Sequence, residues 1–287
     1  MPSLIDIRRR IRSVRNTQQI TKAMKMVSAA KLRRAQDRVI AARPYGGLLR
    51  DMLGNVAAAA SADPRVAANP LLARRPEQRI QLVLITADKG LAGAFNSNLI
   101  KASQRFIEEH SGAGVQLELL GRKGRDFWRK QPGAPISGER LGLTAKVEYA
   151  AAAEVAGTLM ERFRAAGIDS VYLLYNEFKT VLSQKLTVTR VLPVEMPAQA
   201  GAVDYLFEQP PAEMLERLLP RYVETEVYRA LLESAAAEHA ARMTAMESAT
   251  SNAAEMIDRL TLFMNRVRQA SITKEIIEVV SGAAAAV

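Results

Sequence analysis

The chain has 287 residues, 48% hydrophobic and 24% charged, a balance that fits a soluble globular protein of one large or two medium domains and argues against disorder throughout. It has no cysteine, which excludes disulfides, thiolate metal sites, cysteine nucleophiles and redox control. The formal net charge of +10 is concentrated: residues 1–43 hold twelve Lys or Arg against Asp6 and Asp37, and the rest of the chain is neutral. No apolar run reaches the ~18 residues that span a bilayer, and the start, MPSLIDIRRR, lacks a secretory h-region. Much of the apolar share is alanine and only 5% is aromatic, so long helices are expected rather than a bulky core.

Ser3 and Asp6 are spaced as a capping box, which places a helix start near Ser3. Leu4, Ile7, Ile11 and Val14 form a stripe with three- and four-residue spacing. Ile20, Met24 and Val27 continue it after a slip, and Leu32, Ala35, Val39 and Ala42 extend it. Such a narrow seam is closer to a coiled coil than to the face of a globular helix. Pro44 and the pair Gly46 and Gly47 are expected to kink or interrupt the helix, which resumes to about Ala60. Residues 61–78, with Pro64, Pro70 and Pro76, read as a linker.

The pattern then changes. Arg79 to Thr86 is a continuous apolar run of strand length, followed by a helix over about Phe95 to Glu109. Val115 to Leu120 and Ser170 to Phe178 give two further strands, with a helix from about Glu148 to Ala166 between them. This order predicts a mostly parallel, Rossmann-like sheet over 79–208. Val181 to Glu195 alternates and predicts an added strand, antiparallel after a tight turn at Lys179 and Thr180.

From about Pro211 the helical pattern returns. Residues 221 to roughly 280 contain no proline or glycine, which allows one helix of about 60 residues, ~90 Å long. Small residues such as Ala230, Ser234, Ala237 and Ala241 dominate its first half; Met256, Leu260, Phe263, Val267, Ile276 and Ile277 enlarge the stripe later. A helix of that length needs a partner along it. The expected architecture is therefore an antiparallel coiled coil of helices 1–60 and 209–287 with an α/β domain inserted between them.

Three features invite a sharper function. The basic helix suits a solvated face, a protein-facing surface, or nucleic acid or anionic lipid, although it lacks aromatics for stacking. The stretch Asp88 to Asn96 lies where a phosphate-cradling loop would sit, yet it is neither G-x-G-x-x-G nor a Walker loop, and a tight turn is the better reading. Gly121 and Gly124, spaced G-x-x-G, are likewise read as a turn. With His110 and His239 the only histidines, triads and histidine-rich metal sites have little to draw on. A Rossmann-like nucleotide-binding enzyme with helical arms remains the competing reading.

The ends of the chain are more specific. Residues 20–29 (ITKAMKMVSA), Lys31 to Ala35 and Arg43 to Tyr45, together with 241–246 (ARMTAM) and 265–278 (NRVRQASITKEIIE) before Gly282, resemble the first and last helices of the F-type ATP synthase gamma subunit of bacteria. The turn from Lys89 to Asn96 also matches, with Ala92 where many members carry cysteine. The resemblance covers about Ile5 to Ala284. It implies a central rotor shaft with no catalytic site and no cofactor, turned by proton or sodium flow. The implied partners are three alpha and three beta subunits, an epsilon subunit and the membrane c ring, without nucleic acid. The implied location is peripheral, on the cytoplasmic face of the cell membrane. By that resemblance Met24, Lys25, Arg242, Arg268, Gln269 and Thr273 are rotor–stator contacts, and Tyr205 is a foot contact with epsilon or the c ring; Arg33 joins the rotor–stator set because the excess charge makes the first helix a bearing surface against acidic stator loops. The cysteine pair of plant-type members is missing.

Overall fold

A computed structural model describes residues 3–61, 63–131, 133–196 and 207–285. Tyr205 lies outside them. The chain divides into two compact units, residues 1–28 with 243–287, and residues 29–242.

Helix α1 runs over Leu4–Ala59. Its start is capped as expected: the Asp6 amide donates to Ser3 Oγ at 3.2 Å and the Ser3 hydroxyl donates to the Asp6 carboxylate at 2.8 Å. The seam differs from the expectation in its middle. The inward positions are Ile7, Ile11, Val14, Gln18, Thr21, Lys25, Ser28 and Leu32, alternating four and three residues without a slip. Ile20 and Val27 are off the seam, 60% and 56% exposed. Apolar character misplaced them because this seam changes to polar residues for two heptads while its spacing stays constant.

Pro44 and the two glycines neither kink nor end the helix, contrary to expectation. Pro44 sits on the exposed face, where water can meet the carbonyl that its missing N–H releases. The pairs Arg43–Glu233 (3.1 Å) and Arg50–Glu226 (3.6 Å) fasten α1 on either side of it. Packing along the seam therefore overrides local propensity.

After α1 come the short helix α2 (Pro64–Ala67) and a 3-10 turn (Pro70–Leu72). This segment is anchored: Leu71 is fully buried, and its carbonyl accepts the Val194 amide at 2.9 Å. Strand β1 (Arg79–Ile85) is buried from its second residue onward, as a strand covered on both faces must be. Then follow α3 (Phe95–Glu109), β2 (Gly114–Leu120), α4 (Arg122–Trp128), β3 (Ile136–Arg140), α5 (Tyr149–Arg164), β4 (Ser170–Phe178) and β5 (Gln184–Leu192). The strand order is β3-β2-β1-β4-β5, with the first four parallel and β5 antiparallel to β4. Leu82 lies opposite Leu117 on one side and Tyr172 on the other.

Within the α/β domain two elements were not expected, α4 and β3. The sequence of α4 is short and basic, and β3 (ISGER) is a half-buried edge with no clean alternation. The final turn lies at Thr180 to Ser183, where the Thr180 amide donates to the Ser183 carbonyl at 3.0 Å, slightly later than expected.

Helix α6 spans Pro211–Ala285, 75 residues, and incorporates Pro220. In the first unit it pairs antiparallel with α1: Thr21 and Thr250 share a 2.8 Å hydrogen bond, and Lys25 is ion-paired with Glu247. Its inward positions Met246, Thr250, Ala253, Ile257, Leu260, Met264, Val267 and Ser271 repeat the four-three spacing of α1. Facing polar residues in such a seam fix register more than they add stability. In the second unit the same antiparallel sense appears in the pairs of α1 with Glu233 and Glu226.

Candidate functional site

In a doubly wound sheet the ligand crevice lies beyond the carboxyl ends of the strands, where the connections part to opposite sides. Here that point is between β1 and β4. The loop after β1 is tightly determined. Asn96 Oδ1 accepts the Ala87 amide at 3.0 Å, and the Asp88 carboxylate accepts the amides of Arg122 and Gly142, each at 3.0 Å. Leu91 and Gly93 hold left-handed φ values of 60° and 55°. Leu91 is 64% exposed, so an apolar side chain stands outward on a backbone that favours glycine.

A phosphate cradle would aim backbone amides into this crevice. Instead the loop offers the carbonyls of Lys89 and Gly90, and α6 meets them with Arg242, whose guanidinium donates to both at 3.2–3.3 Å. Arg242 also pairs with Glu238 at 2.8 Å, both side chains being buried. At the end of β4 the Phe178 amide donates to the Glu233 carboxylate at 3.0 Å. The chain's own helix thus fills the crevice, with carboxylates where an anionic ligand would need donors. This favours the shaft reading over the nucleotide-binding one.

His239, next to Glu238 and about one turn from Arg242, is held neutral. Burial, then the charges of Arg242 and Lys31, lower its pKa from the ordinary 6.5 to about 4. Lys31, whose charge opposes the imidazolium, lines the pocket that His239 borders. Because the folded pKa is depressed, its contribution to stability is full above pH 6.5 and is lost as the pH falls towards 4. The ring is partly reached by solvent, so a discounted loss of about 1–2 kcal/mol is expected across that window. His239→Gln should flatten the stability profile between those pH values in urea unfolding followed by circular dichroism.

The residues expected from sequence to meet partners fall in two groups. In the first unit, Met24 and Lys25 are half-buried beside the α6 seam, while Arg268, Gln269 and Thr273 are exposed on α6. Extending the register of Thr21 with Thr250 puts Arg268 level with the start of α1, about 30 Å along the helix from Met24. Beyond Ser271, α6 is exposed on all sides through Ser281. In the second unit, Arg33 is exposed, whereas Arg242 is turned into the chain, 8% exposed. Sequence reasoning missed the outward apolar residues Ile20 and Val27, because they were assigned to the seam. Only the four-three spacing carried through Gln18, Thr21, Lys25 and Ser28 would have revealed them.

Among the described residues no group of three or more His, Cys, Asp or Glu is placed to hold a metal ion, and no helix is long and apolar enough to cross a membrane. Fold and site together define a protein of paired long helices joined to a doubly wound domain whose ligand crevice is closed. The comparisons agree. The profile of a family described as ATP synthase matches residues 3–286. The ATP synthase gamma chain of Solibacter usitatus is 74% identical over 286 residues, covering both chains completely. Those of Anaeromyxobacter sp. and Pelotomaculum thermopropionicum are 52% and 50% identical, with 99% of each chain covered. A chain from the central stalk and c ring of Tetrahymena thermophila mitochondrial ATP synthase is 29% identical with a TM-score of 0.62, covering 80% of this chain and 99% of that one. A Euglena gracilis mitochondrial ATP synthase chain shares the fold at 19% identity with a TM-score of 0.66, covering 98% and 94%. This chain belongs to the ATP synthase gamma chain family.

Proposed function

We propose that the chain is the non-catalytic central shaft of an F-type ATP synthase, transmitting ion-driven rotation of a membrane c ring to catalytic sites on surrounding beta subunits. The observation that supports this best is the helix pair. In the first unit it holds its register through a polar seam and leaves its outer faces unlike one another, and in the second unit α6 closes the crevice beyond β1 and β4. One face of α1 is basic, with apolar Ile20 and Val27 interspersed, and the end of α6 is apolar with Arg268, Gln269 and Thr273. A shaft with unlike faces makes different contacts with each surrounding subunit as it turns, and differential contact is what shifts a site between states of different affinity.

In this reading Met24, Lys25, Arg33, Arg268, Gln269 and Thr273 meet the stator, three alpha and three beta subunits. The 79–208 domain is the foot, and Tyr205 within it meets epsilon or the c ring. The location is peripheral, at the cytoplasmic face of a bacterial membrane. Arg242 supports the stator contact from behind, since its guanidinium is committed to the chain's own loop. Purification of the native complex tests the reading. One copy of this chain is expected with a hexamer of two larger nucleotide-binding subunits; several copies, or no hexamer, would overturn it. Charge reversal at Arg33 is expected to lower coupling in that complex while leaving the thermal midpoint of the isolated chain unchanged, because the side chain is exposed.

A further inference from the structure

Helix α6 crosses the carboxyl ends of β1 and β4 on a smooth surface. Between Glu233 and Arg242 its buried apolar residues are Ala235, Ala236, Ala237 and Ala240, whose methyl groups give shallow ridges. Burial of such a surface is favourable but non-directional, so by itself it resists sliding or twisting poorly. Directional contacts stand at either end of it. At one end Glu233, 3% exposed, accepts the Phe178 amide at 3.0 Å and takes Arg43 of α1 at 3.1 Å; Arg43 also donates to the Phe178 carbonyl at 3.1 Å. One node therefore ties α1, α6 and the end of β4. At the other end Glu238 holds Arg242, and Arg242 holds the carbonyls of Lys89 and Gly90 beyond β1. Glu238–Arg242 is a buried ion pair, which adds little stability over apolar residues of the same volume, and Glu233 is a buried carboxylate paired with the half-exposed Arg43; what both contribute is direction, fixing one relative position of the elements.

We propose that Arg43 with Glu233 and Glu238 with Arg242 form a torsion joint, two polar pins set into the switch-point crevice that make the α/β domain and the helix pair of this unit turn together. The proposal rests on the shaft reading for its use, but the joint itself is a property of the isolated chain. These are positioning residues, and Arg242 acts through the loop that it grips rather than by touching a catalytic subunit.

The test replaces each pin with apolar residues of similar volume, Glu238→Leu with Arg242→Met, and Arg43→Met with Glu233→Leu. In the isolated full-length chain, amide exchange at 88–93 is expected to quicken about tenfold or more when the second pin is replaced, with the thermal midpoint nearly unchanged. In the complete complex reconstituted into vesicles, ATP hydrolysis should stay near the wild-type rate. The ion gradient sustained against full back-pressure should fall about fivefold, and Arg242→Lys should restore part of it. A purely structural role would quicken exchange without lowering the loaded gradient. Unchanged exchange, or a full gradient with both pins replaced, overturns the joint. If a paired variant does not fold, Arg242→Gln read by the same exchange decides, since unchanged protection at 88–93 also overturns it. A wild-type chain that forms no complex would count against the shaft reading instead and leave exchange as the measure of the joint.

Discussion

Gly121→Ala is expected to destabilise the chain by more than about 4 kcal/mol, enough to leave little folded protein at 37 °C. Gly121 ends β2 and caps α4 with φ 116° and ψ 148°, a region that only glycine occupies without strain. A Cβ there would lie 2.1 Å from the Thr86 carbonyl oxygen and 2.8 Å from its carbonyl carbon. Both are backbone atoms at the end of the central strand, so nothing flexible can yield. The Gly121 amide also donates to the Arg140 carbonyl at 2.9 Å, and the Gly124 amide to Thr86 Oγ1 at 2.9 Å. Any shift that relieves the clash therefore breaks the meeting point of β1, β2 and β3. Urea unfolding of the variant, or its yield in soluble form, checks this; a midpoint within 1 M of the wild type (about 2 kcal/mol for a common urea slope) would contradict it.

The second large effect is on coupling rather than stability. Deleting residues from Arg268 onward is expected to reduce ATP-driven ion pumping about fivefold while the α/β domain keeps its fold. Among its described residues the deleted stretch contributes only Ser271 to the seam, and Ile272, Ile276, Ile277, Val279 and Val280 are 48–72% exposed. Apolar side chains left outward along a helix, uncovered by any of the described residues, are suited to a surface on another chain. The deletion should therefore leave the unfolding transition of the isolated chain almost unmoved. Pumping and hydrolysis measured together on the reconstituted complex give the coupling ratio, and an unchanged ratio would remove the tail from the working contacts.

How much of this was legible in the sequence varied with the range of the signal. The starts and ends of β1, α3, α5 and β4 followed from apolar runs and their punctuation, because those elements are buried on a face wide enough to enforce a period. The α1 seam was legible at both ends and misread in the middle, where Gln18, Thr21, Lys25 and Ser28 replace apolar residues and hydrophobicity ceases to report position. The break expected at Pro44 was a local inference that a 56-residue helix, supported by its partner, overrides. For the site, Arg268, Gln269 and Thr273 were found by resemblance and Arg33 from the charge on the first helix, and all four stand exposed, while Arg242 was found by resemblance and stands buried. No spacing along the chain could have told those two cases apart, since the carbonyls that hold Arg242 are about 150 residues away.

By itself the sequence determined the class of the protein: terminal helices too long to stand unpaired, a strand-and-helix insert between them, and all the excess positive charge on the first helix. These follow from composition and period, which are local and additive. The tertiary structure decided what occupies the ligand crevice of the α/β domain. Only folding brings Glu233 and Arg242 onto the ends of β4 and β1, and that closure puts a helix into the crevice where a doubly wound sheet would take a ligand. The physical reason is that a buried charge is tolerated only where partners converge on it from distant parts of the chain, and that convergence is not written in any single segment.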